Sequence, residues 1–131
     1  MSNFQKHNIL VVDDDETLRN AIAFDMKRCG FSVIQAANGT EAFRIVETTE
    51  VSLVISDVRM PGGDGLSLLE RIRAFNPNIP LVIFVTGFAG ASETSCIEKG
   101  ALKVIPKPFD RQHLISSVFE ALRIPVEPPA A

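Results

Sequence analysis

The chain has 131 residues, with 13 basic and 16 acidic side chains and a net charge of −3. That length suits a single domain with one hydrophobic core, and the acidic balance weakly argues against nucleic-acid binding by this chain alone. No apolar run approaches the roughly 20 residues of a membrane-spanning helix, and the N-terminal residues lack the apolar middle of a secretion signal, so a cytoplasmic location is expected.

The first half of the chain alternates between strand-like and helix-like patterns. The first predicted strand is Asn8–Val12, and apolar residues then recur at helical spacing over 18–29. Residues 31–37 form the second predicted strand, and the Asn-Gly turn at 38–39 leads into the second helix. This half therefore predicts two successive strand–helix units.

The second half continues the alternation. The predicted strands are 51–56, 81–85 and 102–105, and the predicted helices begin after Gly65 and cover about 89–99 and 111–123. The helix over 89–99 consists mainly of small and polar residues, and its apolar anchor is chiefly Ile97. We therefore expect this helix to be the least stable and the most mobile of the fold.

Strict alternation of strand and helix predicts an α/β fold in which helices cover both faces of a doubly wound, five-stranded parallel sheet. The second and fifth strands carry Gln35 and Lys103, which favours them as edge strands. The flavodoxin-like order 2-1-3-4-5 fits, although polarity alone does not fix it. We expect residues 8–123 to form the domain, 1–7 an N-terminal extension and 124–131 a Pro-rich tail or linker.

Polar side chains follow the carboxyl ends of four predicted strands. In a sheet of this kind, ligands bind beyond these ends, near the point between the first and third strands where the strand order reverses. The residues that the fold would gather at this rim are Asp13, Asp14, Asp57, Thr86 and Lys107. What the site binds should follow from their chemistry.

Acidic residues stand where a nucleotide-binding fold would need a glycine-rich loop, which argues against a dinucleotide or triphosphate site. Several carboxylates in one cleft repel each other, and hard oxygen ligands without His or Cys favour Mg²⁺, with Mn²⁺ as the alternative ion. With Asp57 as a carboxylate nucleophile, Lys107 as a cation and Thr86 as a hydroxyl donor, the set indicates a phosphoryl-transfer site.

Each of these residues also has an ordinary structural explanation. Asp14 and Asp15 could cap the first helix, Asp15 above all, and Asp57 could form a turn. Thr86 could be a plain strand residue and Lys107 a surface lysine. The conjunction of all the groups at matching strand ends favours the functional interpretation.

Four motifs resemble the receiver domain of response regulators in two-component signal transduction, of the chemotaxis-regulator-like type. They are "VVDDD" (11–15), "SDVRMPGGDG" (56–65), "VTG" (85–87) and "KPF" (107–109). The resemblance runs over 8–123, nearly the whole chain.

The resemblance implies a role for each site residue. Asp57 would accept a phosphoryl group from a phosphohistidine, and Thr86 and Lys107 would contact that group. Mg²⁺ would be held directly by Asp14, Asp57 and the Arg59 backbone carbonyl, and through water by Asp13. The resemblance also implies a cis Lys107–Pro108 peptide bond.

The resemblance further implies a regulatory protein whose only catalysis is its own phosphorylation and dephosphorylation. Its partners would be a sensor histidine kinase or phosphotransfer protein and an output domain or output protein. Direct nucleic-acid binding and membrane association are not expected, and a homodimer is left open. Two competing interpretations are an aspartyl-phosphate phosphatase, which usually has an acid where Arg59 stands, and a pseudo-receiver that never takes phosphate.

The sequence departs from the family pattern at Val104, where many members carry an aromatic residue that moves on activation. Phe84 and Phe88 are candidates for a substitute, although ordinary packing would also account for both. Arg59 and Phe88 occupy positions that flank the phosphoryl group in the family, so they are expected to tune how long it lasts.

Overall fold

The computed structural model describes residues 7–60, 64–87 and 91–124, with side chains described from residue 93 onward in the last range. Within these ranges five strands alternate with five helices. The strands are β1 (Asn8–Val12), β2 (Ser32–Ala36), β3 (Leu53–Ser56), β4 (Leu81–Thr86) and β5 (Lys103–Pro106), and the helices are α1 (Glu16–Arg28), α2 (Gly39–Thr48), α3 (Gly65–Phe75), α4 (Ala91–Glu98) and α5 (Arg111–Ala121). Among the described helices, not one combines the length and apolar character of a membrane span.

The strands form one parallel sheet in the order β2-β1-β3-β4-β5, which confirms the predicted topology. The polar residues that favoured β2 and β5 as edge strands have partners on neighbouring helices. The Gln35 Oε1 atom accepts a hydrogen bond from Arg19 Nε at 2.9 Å, and Lys103 Nζ donates one to Ser117 Oγ at 3.0 Å. The edge strands are therefore polar without leaving these polar groups unpaired.

Two apolar layers cover the two faces of the sheet, as predicted. Alternate residues of a strand point to opposite faces, so Leu10 belongs to the layer under α2, α3 and α4, whereas Ile9 belongs to the layer under α1 and α5. The apolar residues Leu68, Leu69 and Ile72 of α3 are all buried. The central strands are thus covered on both faces and their ends alone are accessible.

Helix caps fix several boundaries that hydrophobic spacing leaves open. Four helices are preceded by a polar side chain that accepts a hydrogen bond from a backbone N–H of the first helical turn. These capping residues are Asp15, Asn38, Asp64 and Asp110. Asp15 is therefore a capping residue, as expected. Asp64 belongs to the glycine-rich stretch after β3, whose 61–63 portion lies outside the described residues.

Most predicted boundaries differ from the observed ones by one or two residues. The strands β2 and β3 are shorter than predicted, β4 continues to Thr86, and β5 is shifted by one residue to Lys103–Pro106. The last helix ends at Ala121 rather than at residue 123. These shifts follow from where the ladder and helix hydrogen bonds stop, which residue type signals only approximately.

Helix α4 is anchored by a different residue from the one that the sequence indicated. The Ile97 side chain is 44% exposed, whereas Cys96 is fully buried in the core layer. Adjacent helix positions point in directions about 100° apart, and α4 turns its Cys96 side toward the core layer. The prediction for Ile97 was wrong because a helix with so few apolar residues carries no clear hydrophobic stripe.

The C-terminal end of α4 is tied to α3. Gly100 follows the helix with φ of 112°, and its carbonyl accepts hydrogen bonds from Arg73 Nε and Nη2, both at 3.3 Å. Lys99 Nζ lies 2.9 Å from Glu70 Oε2. The helix is therefore tethered at its C-terminal end and, among its described side chains, buries a single residue, Cys96.

We expect the backbone amides of α4 to exchange with deuterium faster than those of α1, which buries Ile22, Ala23, Asp25 and Met26. Within α4, exchange should be slowest near the tethered end. We also expect protection of α4 to change when a phosphoryl mimic is added with Mg²⁺. Equal exchange in the two helices, together with no response to the mimic, would contradict the prediction.

Candidate functional site

The acidic residues of the site follow two neighbouring strands. The register pairs Val12 of β1 with Ser56 of β3, so Asp13 and Asp57 leave the sheet side by side. The Asp57 N–H donates to the Val12 carbonyl at 3.1 Å, which continues the ladder by one residue. Carboxylate oxygens of Asp13, Asp14 and Asp57 all lie within 4.8 Å of one another. The structure thus brings the three predicted acidic residues together.

Lys107 reaches this acidic cluster from the end of β5. Its Nζ lies 2.8 Å from Asp57 Oδ2 and 3.3 Å from Asp13 Oδ2. The Lys107 N–H donates to the Thr86 carbonyl at 2.7 Å, which fixes the start of the loop between β5 and α5. The Lys107–Pro108 peptide bond is cis, as the resemblance implied.

Burial and charge act against each other in this cluster. The pKa of the Asp13 carboxyl is raised, chiefly by burial and further by the neighbouring Asp57 charge. The Asp15 N–H and Lys107 act to lower this pKa but do not outweigh burial. Burial lowers the pKa of Lys107, but its hydrogen bonds and charge interactions with Asp57 and Asp13 outweigh burial, so its pKa is raised. Lys107 is therefore a cation at neutral pH.

A cation would fit this cluster. Three carboxyl groups lie together here, and the Lys107 ammonium contacts two of them, Asp13 and Asp57. Burial raises the pKa of the Asp13 carboxyl, so its ionised form is less favourable than that of an exposed aspartate. Asp14 is exposed, so the cluster opens to solvent on one side. Hard carboxylate oxygens with an open, hydrated side are the donors that suit Mg²⁺.

The remaining predicted site residues lie in different surroundings. Thr86 is fully buried as the last residue of β4. Arg59 is exposed, and its N–H donates to Asp57 Oδ1 at 3.3 Å. Phe88 lies outside the described residues.

Of the two candidates for a substitute switch residue, Phe84 is the one that lies within the described residues, and it is a core neighbour of Val104. Val104 is 9% exposed and is paired with Phe84 across β4 and β5. Phe84 is fully buried in the apolar layer. Ordinary packing therefore accounts for Phe84.

Gly65, which the sequence marked only as the residue before the third helix, is a structural feature of the site. Its N–H donates to the Val58 carbonyl at 2.7 Å. A Cβ atom at this position would lie 2.3 Å from the Asp57 carbonyl oxygen and 2.7 Å from Phe84 Cε1. The start of α3 therefore packs directly on the backbone of Asp57, and only glycine fits there.

The chain matches the model of the response regulator receiver domain over residues 9–119. It belongs to the response regulator receiver domain family. Among curated relatives, this receiver is 36% identical over 120 residues to the DNA-binding transcriptional regulator NtrC of Bradyrhizobium, covering 92% of the chain and 25% of that protein. It is also 36% identical over 115 residues to the C4-dicarboxylate transport transcriptional regulatory protein DctD of Rhizobium meliloti, covering 87% of the chain and 25% of that protein.

Solved receiver structures share the fold. A CheY-like receiver domain protein from Methanospirillum hungatei superposes with a TM-score of 0.84 at 28% identity, covering 89% of this chain and 94% of that one. NtrX from Brucella abortus superposes with a TM-score of 0.82 at 26% identity, covering 94% of this chain and 31% of that one. The receiver spans about a quarter of the length of the curated relatives DctD and NtrC.

Proposed function

We propose that this receiver accepts a phosphoryl group on Asp57 from a phosphohistidine of a sensor kinase or phosphotransfer protein, in a Mg²⁺-dependent reaction, and that the resulting change controls an output domain or protein partner. The observation that carries the proposal is the contact of Lys107 with both Asp57 and Asp13 beside a third carboxylate. A carboxylate nucleophile and a fixed cation are the groups that phosphoryl transfer needs from a protein.

Asp57 is placed for the transfer by the rigid end of β3. A carboxylate oxygen of Asp57 attacks phosphorus, the phosphorus–nitrogen bond of the phosphohistidine breaks, and its electron pair returns to the imidazole nitrogen. The side chain of Asp57 is 13% exposed, so part of it remains accessible to a partner. Lys107 balances charge that gathers on the phosphoryl oxygens, and the Thr86 hydroxyl would contact the same group at the end of β4.

The residues that would hold the ion are Asp14, Asp57 and the Arg59 backbone carbonyl, with Asp13 acting through water. When bound, Mg²⁺ supplies positive charge that offsets repulsion between the carboxylates and the incoming phosphoryl group. Asp13 and Asp14 keep their positions because the first turn of α1 is capped by Asp15 directly after them. Mn²⁺ offers the same ligand preferences and is the alternative ion.

The chemistry of the site supports regulation rather than turnover of a separate substrate. A phosphatase with an aspartyl-phosphate intermediate usually has a second acid two residues after the nucleophile, and Arg59 occupies that position. Hydrolysis of small phosphate esters at a steady rate would favour the enzyme. A pseudo-receiver would lack part of the acidic cluster, whereas Asp13, Asp14 and Asp57 are all present and close together.

The domain bounds, cellular location and assembly of the receiver are part of the same proposal. The folded receiver would comprise residues 8–123, and 124–131 would form a tail or a linker to an output domain. The curated relatives DctD and NtrC are four times as long as the match, which supports a linker. The receiver would work in the cytoplasm without binding nucleic acid itself, and dimer formation is left open.

We expect Mg²⁺ to stabilise the receiver without any phosphodonor, because binding relieves repulsion in the acidic cluster. The free energy of unfolding should rise by about 2.7 kcal/mol when the free ion reaches 100 times its dissociation constant. Chelation should reverse the gain and stop labelling by a small phosphodonor. Denaturant unfolding with and without Mg²⁺ measures the effect.

The matched control for this measurement is Asp14→Asn, which removes one exposed carboxylate of the cluster while keeping its shape. Without Mg²⁺ the variant should be at least as stable as the original protein, because one of the repelling carboxylates is gone, and it should gain much less stability when the ion is added. An equal gain in both proteins would place the binding of the ion elsewhere.

A further inference from the structure

A side chain outside the acidic cluster fixes the loop that carries two of its carboxylates. Arg19 lies in α1, and its side chain is only 14% exposed. Its Nη1 donates to the backbone carbonyl of Asp13 at 2.8 Å, and its Nε donates to Gln35 Oε1 at 2.9 Å. The guanidinium is therefore held between the loop after β1 and the edge strand β2.

Hydrogen bonds of this kind leave Asp13 little freedom. Its N–H donates to the Ala36 carbonyl at 3.2 Å, and its Oδ1 accepts from the Asp15 N–H at 2.9 Å. Arg19 completes the set by binding the Asp13 carbonyl, which belongs to the peptide group that leads into Asp14. The orientation of this peptide group decides where the Asp14 side chain leaves the backbone.

We propose that Arg19, oriented by Gln35, is a positioning residue that holds Asp13 and Asp14 in the geometry required for binding a divalent cation. This inference rests on the proposed function. It also gives a role to Gln35, which the sequence marked only as a polar residue on an edge strand. Groups that orient metal ligands typically contribute about 10- to 100-fold to metal affinity in proteins.

If only its charge mattered, Arg19 would weaken Mg²⁺ binding instead of supporting it. A guanidinium near the cluster repels a cation, and Glu16 offsets this only partly, because its Oε2 lies 3.9 Å from Arg19 Nη2 and its side chain is 79% exposed. Removing the positive charge should therefore tighten Mg²⁺ binding if electrostatics dominates. If positioning dominates, loss of the Asp13 hydrogen bond should weaken binding.

Two variants separate positioning from charge. Arg19→Lys keeps the positive charge but replaces a planar fork of donors with one ammonium, which cannot bind Asp13 and Gln35 in the same geometry. Gln35→Ala leaves Arg19 and its charge intact but removes the acceptor that orients the guanidinium. Arg73→Lys is the matched control. Arg73 lies in the last turn of α3 and also donates to a backbone carbonyl, that of Gly100.

The measurement is the dissociation constant of Mg²⁺ on the full chain without a phosphodonor, from amide chemical shifts in an NMR titration. We expect Arg19→Lys to bind Mg²⁺ about 10-fold more weakly, Gln35→Ala to show a smaller loss in the same direction, and Arg73→Lys to match the original protein. Melting temperatures without Mg²⁺ show whether each variant is folded.

The possible results are distinct. Unchanged or tighter binding by folded Arg19→Lys and Gln35→Ala overturns the positioning role and leaves the proposed function intact. If Arg19→Lys does not fold, Gln35→Ala alone decides in the same way. Failure of the original protein to bind Mg²⁺ overturns the proposed function and the positioning role together.

Discussion

Replacing Asp57 with Asn is expected to abolish labelling of this receiver by a small phosphodonor in Mg²⁺, with a loss of at least about 100-fold. The amide nitrogen and oxygen of Asn lack the negative charge that attacks phosphorus, and the amide is a poorer ligand for the ion. Lys107 would also lose the charged partner that lies 2.8 Å from its Nζ. Intact-protein mass spectrometry after incubation with phosphoramidate measures the labelled fraction.

Asp64→Asn is the matched control for this substitution. Asp64 also follows β3, but its side chain caps α3 by accepting a hydrogen bond from the Ser67 N–H at 2.8 Å. Asn caps helices about as well as Asp, so this variant should fold and be labelled normally. Labelling of one site in Asp57→Asn to the same extent as in the control would show that another residue is the acceptor.

Replacing Gly65 with Ala is expected to destabilise the domain by about 3 kcal/mol, which is the upper part of the usual range for overpacking. The added Cβ would overlap the Asp57 carbonyl oxygen and lie 3.0 Å from Val58 Cα. These atoms belong to the backbone, so relief requires α3 or the end of β3 to move. Either movement displaces Asp57, so the rate of labelling should also fall. Urea unfolding and the time course of labelling measure the two effects.

The chain provides a matched control in Gly87, where an added Cβ would meet nothing within 4 Å. Gly87→Ala should change the free energy of unfolding by no more than about 0.5 kcal/mol. Both substitutions add one methyl group near the carboxyl edge of the sheet, so their difference measures the cost of the close contacts at Gly65 with Asp57, Phe84 and Val58. Equal free energies of unfolding for the two variants would contradict the prediction, because α3 would then make room for the methyl group without loss of stability.

Arg19 illustrates why part of the site was missed. Its sequence neighbours indicate only a charged residue in the first half of a helix. Its role depends on the distance from its guanidinium to the Asp13 carbonyl and to Gln35, which is 16 residues away. Contacts of this kind follow from how a helix packs beside a strand, and neither periodicity nor residue type encodes them.

Helix α4 shows the same limit in the core. The sequence correctly indicated a helix with few apolar residues, but it favoured Ile97 over Cys96 as the buried one. Hydrophobicity alone ranks isoleucine first. Which side of α4 faces the sheet depends on how the helix packs, and Gly100 and Lys99 at its end contact residues of α3 that are distant in sequence.

The sequence by itself determined the order of the elements and the set of residues at the strand ends, and it favoured β2 and β5 as edge strands. Periodicity and the polarity of single residues are local properties of the chain. Only the tertiary structure decided that Lys107 contacts Asp13, 94 residues away, that Gly65 packs on the Asp57 carbonyl and that Arg19 holds the Asp13 loop. These contacts join elements that are distant in sequence, so their distances are set by the packing of helices on the twisted sheet.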